Sequence, residues 1–168
     1  MTFAGINYLA VLVAGALGFG LGGVWYRLLA KPWMAAHGFT SEMIRAHHGK
    51  GVAPSLIITF VADLIMAWML AGVMGHLGAL TVKNGVIAAA FIWFGFVITT
   101  LAVNNTFGMR SPKLIVIDGG HWLAALLLMG AIIGAWGYSC KRLSRCPAEN
   151  ALIFLNRQLR PKFDAPDL

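Results

Sequence analysis

The sequence predicts an all-α integral membrane protein, a bundle of four transmembrane helices, and three observations carry that prediction. Apolar runs at about residues 5–29, 53–75, 85–107 and 113–138 are each long enough to cross the ~30 Å hydrocarbon core at 1.5 Å per residue. Only 11% of the 168 residues are charged while 59% are hydrophobic, against about 25% charged in a domain that must meet water. The cations sit between or after the runs, where topology determinants belong. Mean hydropathy, at +0.76, agrees with a chain whose solvent is lipid.

Each element follows in order. The first span ends in Trp25, Tyr26 and Arg27, and with Trp33 these residues match interfacial anchors, in which amphipathic rings and a cation meet the headgroups. Its first cation is Arg27, and the run is too long for the h-region of a cleavable signal peptide, so it is read as a retained span. The loop 30–52 holds Thr40 or Ser41 as an N-cap, Glu42 in the first turn and Gly49 as a stop, which predicts one short interfacial helix. The second span has Asp63 as its one charge. The third ends in Thr99, Thr100, Asn104 and Asn105, and the fourth begins with Asp118 and His121 in its first two turns. Residues 1–138 thus form one transmembrane domain. Residues 139–168 form a basic tail in which Ala148, Ala151, Leu152, Leu155 and Leu159 follow Pro147 at helical spacing, an amphipathic interfacial helix with a disordered end.

Thirteen Lys and Arg against six Asp and Glu leave a net charge of +7. No basic helix with interleaved aromatic residues offers a stacking platform, so the expected partner of this charge is the lipid bilayer and not nucleic acid. The first and third loops carry Arg27, Lys31, Arg45, Lys50, Arg110 and Lys113, and the opposite side carries Lys83 before the tail. By the positive-inside rule the first and third loops are cytoplasmic, although Lys141, Arg142 and Arg145 after the fourth span oppose this.

Lipid tails are as apolar as leucine, so helices associate through close packing at small residues. Ala14, Gly18 and Gly22 in the first span, in register with Ala10, and Gly130 and Gly134 in the fourth form such stripes. Contact inside the bundle is favoured over a homodimer seam, since every polytopic protein needs internal seams. A possible homo-oligomer or larger membrane complex stays open as a partner.

Ionisable groups in a membrane interior are retained with a partner or a water cavity. Asp63, Thr99, Thr100, Asn104, Asn105, Asp118 and His121 are therefore the candidate polar cluster, with Asp63 and His121 expected at similar depth and Asp118 and His121 on one helix face. A carboxylate beside an imidazole is suited to proton relay or to a small polar solute. The competing reading is structural: Asp118 pairs with Arg27, Arg110 or Lys113, and the asparagines cap the third helix. No catalytic constellation, metal-ligand spacing or cofactor motif occurs, so no enzyme, metal or cofactor is expected. Cys140 and Cys146 stand as a disulfide or as two free thiols.

Several segments carry a family resemblance: N-Y-L-A-V-L-V-A from Asn7, L-G-G-V-W-Y from Leu21, K-P-W-M from Lys31, G-F-V-I-T-T-L-A-V-N-N-T-F from Gly95 and K-L-I-V-I-D-G-G-H from Lys113. Together they resemble the uncharacterised membrane proteins grouped as domain of unknown function 1761. The resemblance covers about residues 3–136 and implies a four-span prokaryotic protein, with Asn7, Trp25, Tyr26, Trp33, Thr100, Asn104, Asp118 and His121 at recurrent positions. It implies no activity. An interaction or accessory component of the membrane is the first functional expectation, and a small homo-oligomeric or proton-coupled carrier is the alternative.

Overall fold

The computed structural model describes residues 6–48, 51–78 and 80–143, and the side chains of 6–46, 51–78 and 80–136. These residues form helices and short connections, with no strand among them. Helix α1 spans Tyr8–Leu28, α2 Ala30–His37, α3 Ser41–His48 and α4 Ala53–His76. The third span is α5 (Val82–Ile92), a π-helical segment Trp93–Val97, and α6 (Ile98–Phe107); α7 is Lys113–Leu143. Four stretches, Tyr8–Leu28, Ala53–His76, Val82–Phe107 and Lys113–Trp136, are long and apolar enough to cross a membrane. The chain is accordingly a multi-pass membrane protein, since in lipid only a helix or a closed barrel satisfies every backbone group internally.

The ends of the helices have local causes. Asn7 Oδ1 accepts from the backbone N–H of Leu9 and Ala10 at 3.1 and 3.4 Å and caps α1. Thr81 Oγ1 accepts from Asn84 N at 3.1 Å, which starts the third span at Val82 rather than at Gly85. The first loop holds two short helices, not the single one expected. Gly38, at φ 70°, ends α2 in the left-handed region that glycine enters without strain, and Thr40 Oγ1 then caps α3 by accepting from Met43 N at 3.2 Å. The fourth helix runs on to Leu143, past the expected end at residue 138. Gly49 and the tail after Leu143, with Pro147 and Cys146, lie outside the described residues.

Helix α7 touches α1, α4 and both halves of the third span. Glycine makes this possible. A Cβ on Gly85 would collide with the Gly130 carbonyl, one on Gly130 with the Gly85 carbonyl, and one on Gly134 with the Thr81 carbonyl. Gly18 faces the end of the Met129 side chain on α7, and Gly15 faces Leu64 on α4. Ala14 is fully buried. Gly95, by contrast, has open space where its Cβ would be.

In the third span Gly85, Ala89, Trp93, Val97, Leu101 and Asn105 are all buried or half-buried, at an unbroken spacing of four. A regular α-helix rotates such a row by about 40° per step, because 3.6 residues make a turn. The π-helical segment, where the Ile98 N–H reaches the Trp93 carbonyl, takes up one residue and returns the row towards α7.

Gly85→Val should lower the thermal midpoint in detergent by an amount equivalent to about 1–3 kcal/mol, the usual cost of overpacking a tight contact. Gly95→Ala should leave stability unchanged or raise it by up to about 1 kcal/mol through helix propensity. Equal effects of the two substitutions would contradict the packing described here.

Candidate intramembrane polar site

The site is built on the first turns of α7, where Asp118, Gly119, Gly120 and His121 follow one another. The two glycines leave the helix backbone open to large neighbours. Trp25 Nε1 of α1 donates to the Ile117 carbonyl at 3.1 Å, with its ring against Gly120, where a Cβ would lie 3.1 Å from Trp25 Cζ2. Trp93 Nε1, at the start of the π-helical segment, donates to the Gly119 carbonyl at 2.8 Å. A carbonyl oxygen has two lone pairs, so it accepts an indole in addition to its helical N–H.

Asp118 Oδ1 accepts two hydrogen bonds, from the Tyr26 hydroxyl at 2.9 Å and from Trp33 Nε1 at 3.2 Å. One donor comes from α1 and the other from α2, so the carboxylate ties both to α7. Behind it the rings continue outward. Trp33 packs on His37 at a centroid distance of 4.1 Å, and His37 stacks on Phe39 at 4.9 Å. His37 Nδ1 lies 3.1 Å from the Trp33 carbonyl.

His121 is 3% exposed, and neither ring nitrogen has a hydrogen-bond partner among the described protein groups. Its ring lies 5.0 Å from that of Tyr26 and 4.7 Å from that of Trp122. Gly22 gives it room, since a Cβ there would come within 3.0 Å of Nε2. Asp63, in the middle of α4, is 1% exposed, and its Oδ1 also has no partner.

Asp63 and His121 stand at different levels, contrary to the expected shared depth. Leu64, next to Asp63, packs at Gly15 of α1, whereas His121 packs at Gly22. Seven residues of helix separate these positions, about 10 Å.

Other expectations change in the same way. Thr99, Thr100 and Asn104 face outward, away from the cluster, and Thr99 Oγ1 bonds back to the carbonyls of Gly95 and Phe96 at 2.9 and 3.1 Å. Only Asn105 of that group is buried, because the π-helical segment turns that row inward and the others out. The Asn104 and Asn105 carbonyls accept from Gly108 N and Arg110 N, which closes the third span. Trp25, Tyr26 and Trp33, read as interfacial anchors, are half-buried and aim their polar atoms at α7; Arg27 is exposed. The partners of Asp118 are Tyr26 and Trp33 in place of the expected Arg27, Arg110 or Lys113. Trp93 and Trp122 were not singled out from sequence, and the Gly-Gly pair beside Asp118 was the available signal that bulky groups approach there. Among the described residues no three His, Cys, Asp or Glu side chains converge as a metal site.

A family model described as a protein of unknown function, DUF1761, matches residues 9–134. The chain belongs to this family. The matched region takes in α1 from Leu9, α2 to α6, the polar site and α7 up to Gly134, so the site lies wholly within the part that defines membership. No curated protein and no solved structure matches the chain.

For this family member, a double-mutant cycle between Tyr26→Phe and Asp118→Leu should give a coupling energy of about 0.6 kcal/mol and no more than about 1.7, as for interhelical hydrogen bonds in other membrane proteins. Unfolding in mixed micelles measures it, and additive effects would mean that the Tyr26–Asp118 bond contributes nothing.

Proposed function

We propose that this protein handles a proton, or a small hydrogen-bonding solute that carries one, at His121, as a small carrier. Four spans are few to enclose a path, so two or more copies assemble. It works in the inner membrane of a prokaryote, with its first and third loops cytoplasmic, the side their cations favour.

The observation that carries this reading is an imidazole buried in the bundle with both nitrogens unpartnered. A buried polar group without a partner costs about 1–3 kcal/mol. Phenylalanine would fill the same space without that cost, so packing alone is a poor account of a histidine here. Asp118 lies three residues away on the same face, held by Tyr26 and Trp33, and the Tyr26 ring rests against the imidazole. Tyr26 bonds the carboxylate through its hydroxyl and packs its ring on the imidazole, so three proton-exchanging groups stand close together and a solute bridging them would complete a relay. His121 is 3% exposed in this conformation, so exchange with water requires the Trp25 and Tyr26 rings packed beside it to move.

A second reading, an interaction component of a larger membrane complex, has one specific observation in its favour. Thr100 and Asn104 lie four residues apart on an outward face of the third span, flanked by exposed Phe96 and Phe107. Lipid tails give a side-chain amide no hydrogen bond, whereas a partner helix does.

His121→Phe separates a working histidine from a packing one. Its thermal midpoint should stay level or rise, since an unpartnered polar group is replaced by an apolar one of similar shape. Proton flux into dye-loaded proteoliposomes after a pH jump should fall to that of protein-free vesicles. Flux preserved in His121→Phe, or wild-type vesicles no leakier than empty ones, would exclude the carrier reading.

A further inference from the structure

We propose that the cleft between the end of α1, α2 and α3 seats an acyl chain of one anionic phospholipid, whose phosphate is held by Arg27, Lys31 and Arg45. The cleft has a volume of about 640 Å³, within the range of roughly 300–1,000 Å³ usual for ligand pockets. Tyr26, Ala30, Trp33, Met34, Phe39, Met43 and Ile44 line it. Only Tyr26 and Trp33 among these carry a side-chain hydrogen-bonding group, and both already donate to Asp118. The Tyr26 oxygen can still accept one hydrogen bond, but the lining has no free side-chain N–H or O–H donor and is otherwise apolar, so the buried part of the occupant is apolar.

The rim supplies the charge. Arg27, Lys31 and Arg45 each stand one residue from a lining residue, about 100° round their helices, so they border the cleft without entering it, and all three are exposed. Glu42 is the one acidic residue on α1, α2 and α3. Arg110 and Lys113 emerge from the loop at the same end of the bundle. An apolar slot under a cationic rim, at the level of a membrane interface, is complementary to a lipid with a negative headgroup.

Two other occupants fit less well. The C-terminal tail follows α7, which starts at this end of the bundle and leaves it at the opposite face; the tail is itself basic, with Arg145, Arg157, Arg160 and Lys162. A second copy meeting the first across a two-fold axis at this cleft would bring two cationic rims together. Because Tyr26 and Trp33 are both cleft wall and donors to Asp118, a seated chain also holds α2 against the polar site. The proposal stands apart from the reading of His121, and neither depends on the other.

Native mass spectrometry of the full chain tests it, in mild detergent with equal amounts of phosphatidylglycerol and phosphatidylcholine bearing the same acyl chains. The wild type should retain one phosphatidylglycerol in preference to phosphatidylcholine. Lys31→Gln with Arg45→Gln, both at exposed positions, should reduce that preference by roughly fivefold per cation removed while a lipid is still retained. Ala30→Trp, which places an indole in the cleft, should weaken retention of both lipids, with circular dichroism melting to confirm that it folds. Equal retention of the two lipids by the wild type overturns the proposal, as does a preference unchanged in the Gln double variant. If Ala30→Trp does not fold, the Gln double variant decides alone.

Discussion

Helix α7 packs against every other span, and it can do so only because backbones approach one another where side chains are missing. In water such a bundle would gain stability from hiding apolar surface. In lipid that gain vanishes, and van der Waals contact with a few interhelical hydrogen bonds must hold the helices together. Gly85 against Gly130 and Gly134 against Thr81 bring α5 onto α7. Gly18 and Gly22 admit Met129 and His121 from the other side. Once α7 is fixed in this way, the groups on its first turns have no freedom to choose other neighbours.

Those first turns then gather the hydrogen-bond donors of three other elements. Trp25 and Tyr26 come from α1, Trp33 from α2 and Trp93 from the π-helical segment, and their acceptors lie within the three-residue stretch from Ile117 to Gly119. Each donor is an aromatic ring with one polar atom, a type that buries area in lipid while meeting a single acceptor. The arrangement leaves out His121 and Asp63. Both are more deeply buried than the side chains that are paired, and both keep polar atoms without partners among the described residues. Within one bundle, Asp118 Oδ1 is paired twice, while the imidazole three residues on has no partner among the described residues.

The membrane class, the four spans and the order of polar residues along them were legible in the sequence. Hydrophobic length and the near-absence of charge are one-dimensional properties, and Thr40 was legible as a local cap; the cap at Asn7 and the break at Gly38 emerged only in the structure. The site was legible only in part. Asp118 and His121 are three apart on any α-helix, and the structure keeps them on one face. Thr100 and Asn104 turned outward because the π-helical segment shifts the register of the third span by one residue, and no motif in the sequence was read as predicting it. Counting from the start of its own span sets the depth of Asp63, and that count ignores where α4 meets α1.

By itself, then, the sequence determined the solvent, the number of crossings and the family, because each follows from residue types taken in order. Which polar groups meet was left to the tertiary structure. A tryptophan at the end of an apolar helix can face headgroups or a neighbouring backbone, and the choice depends on whether glycines such as Gly119 and Gly120 stand opposite it. That is a relation between residues about ninety positions apart. It exists only when α1 and α7 lie side by side.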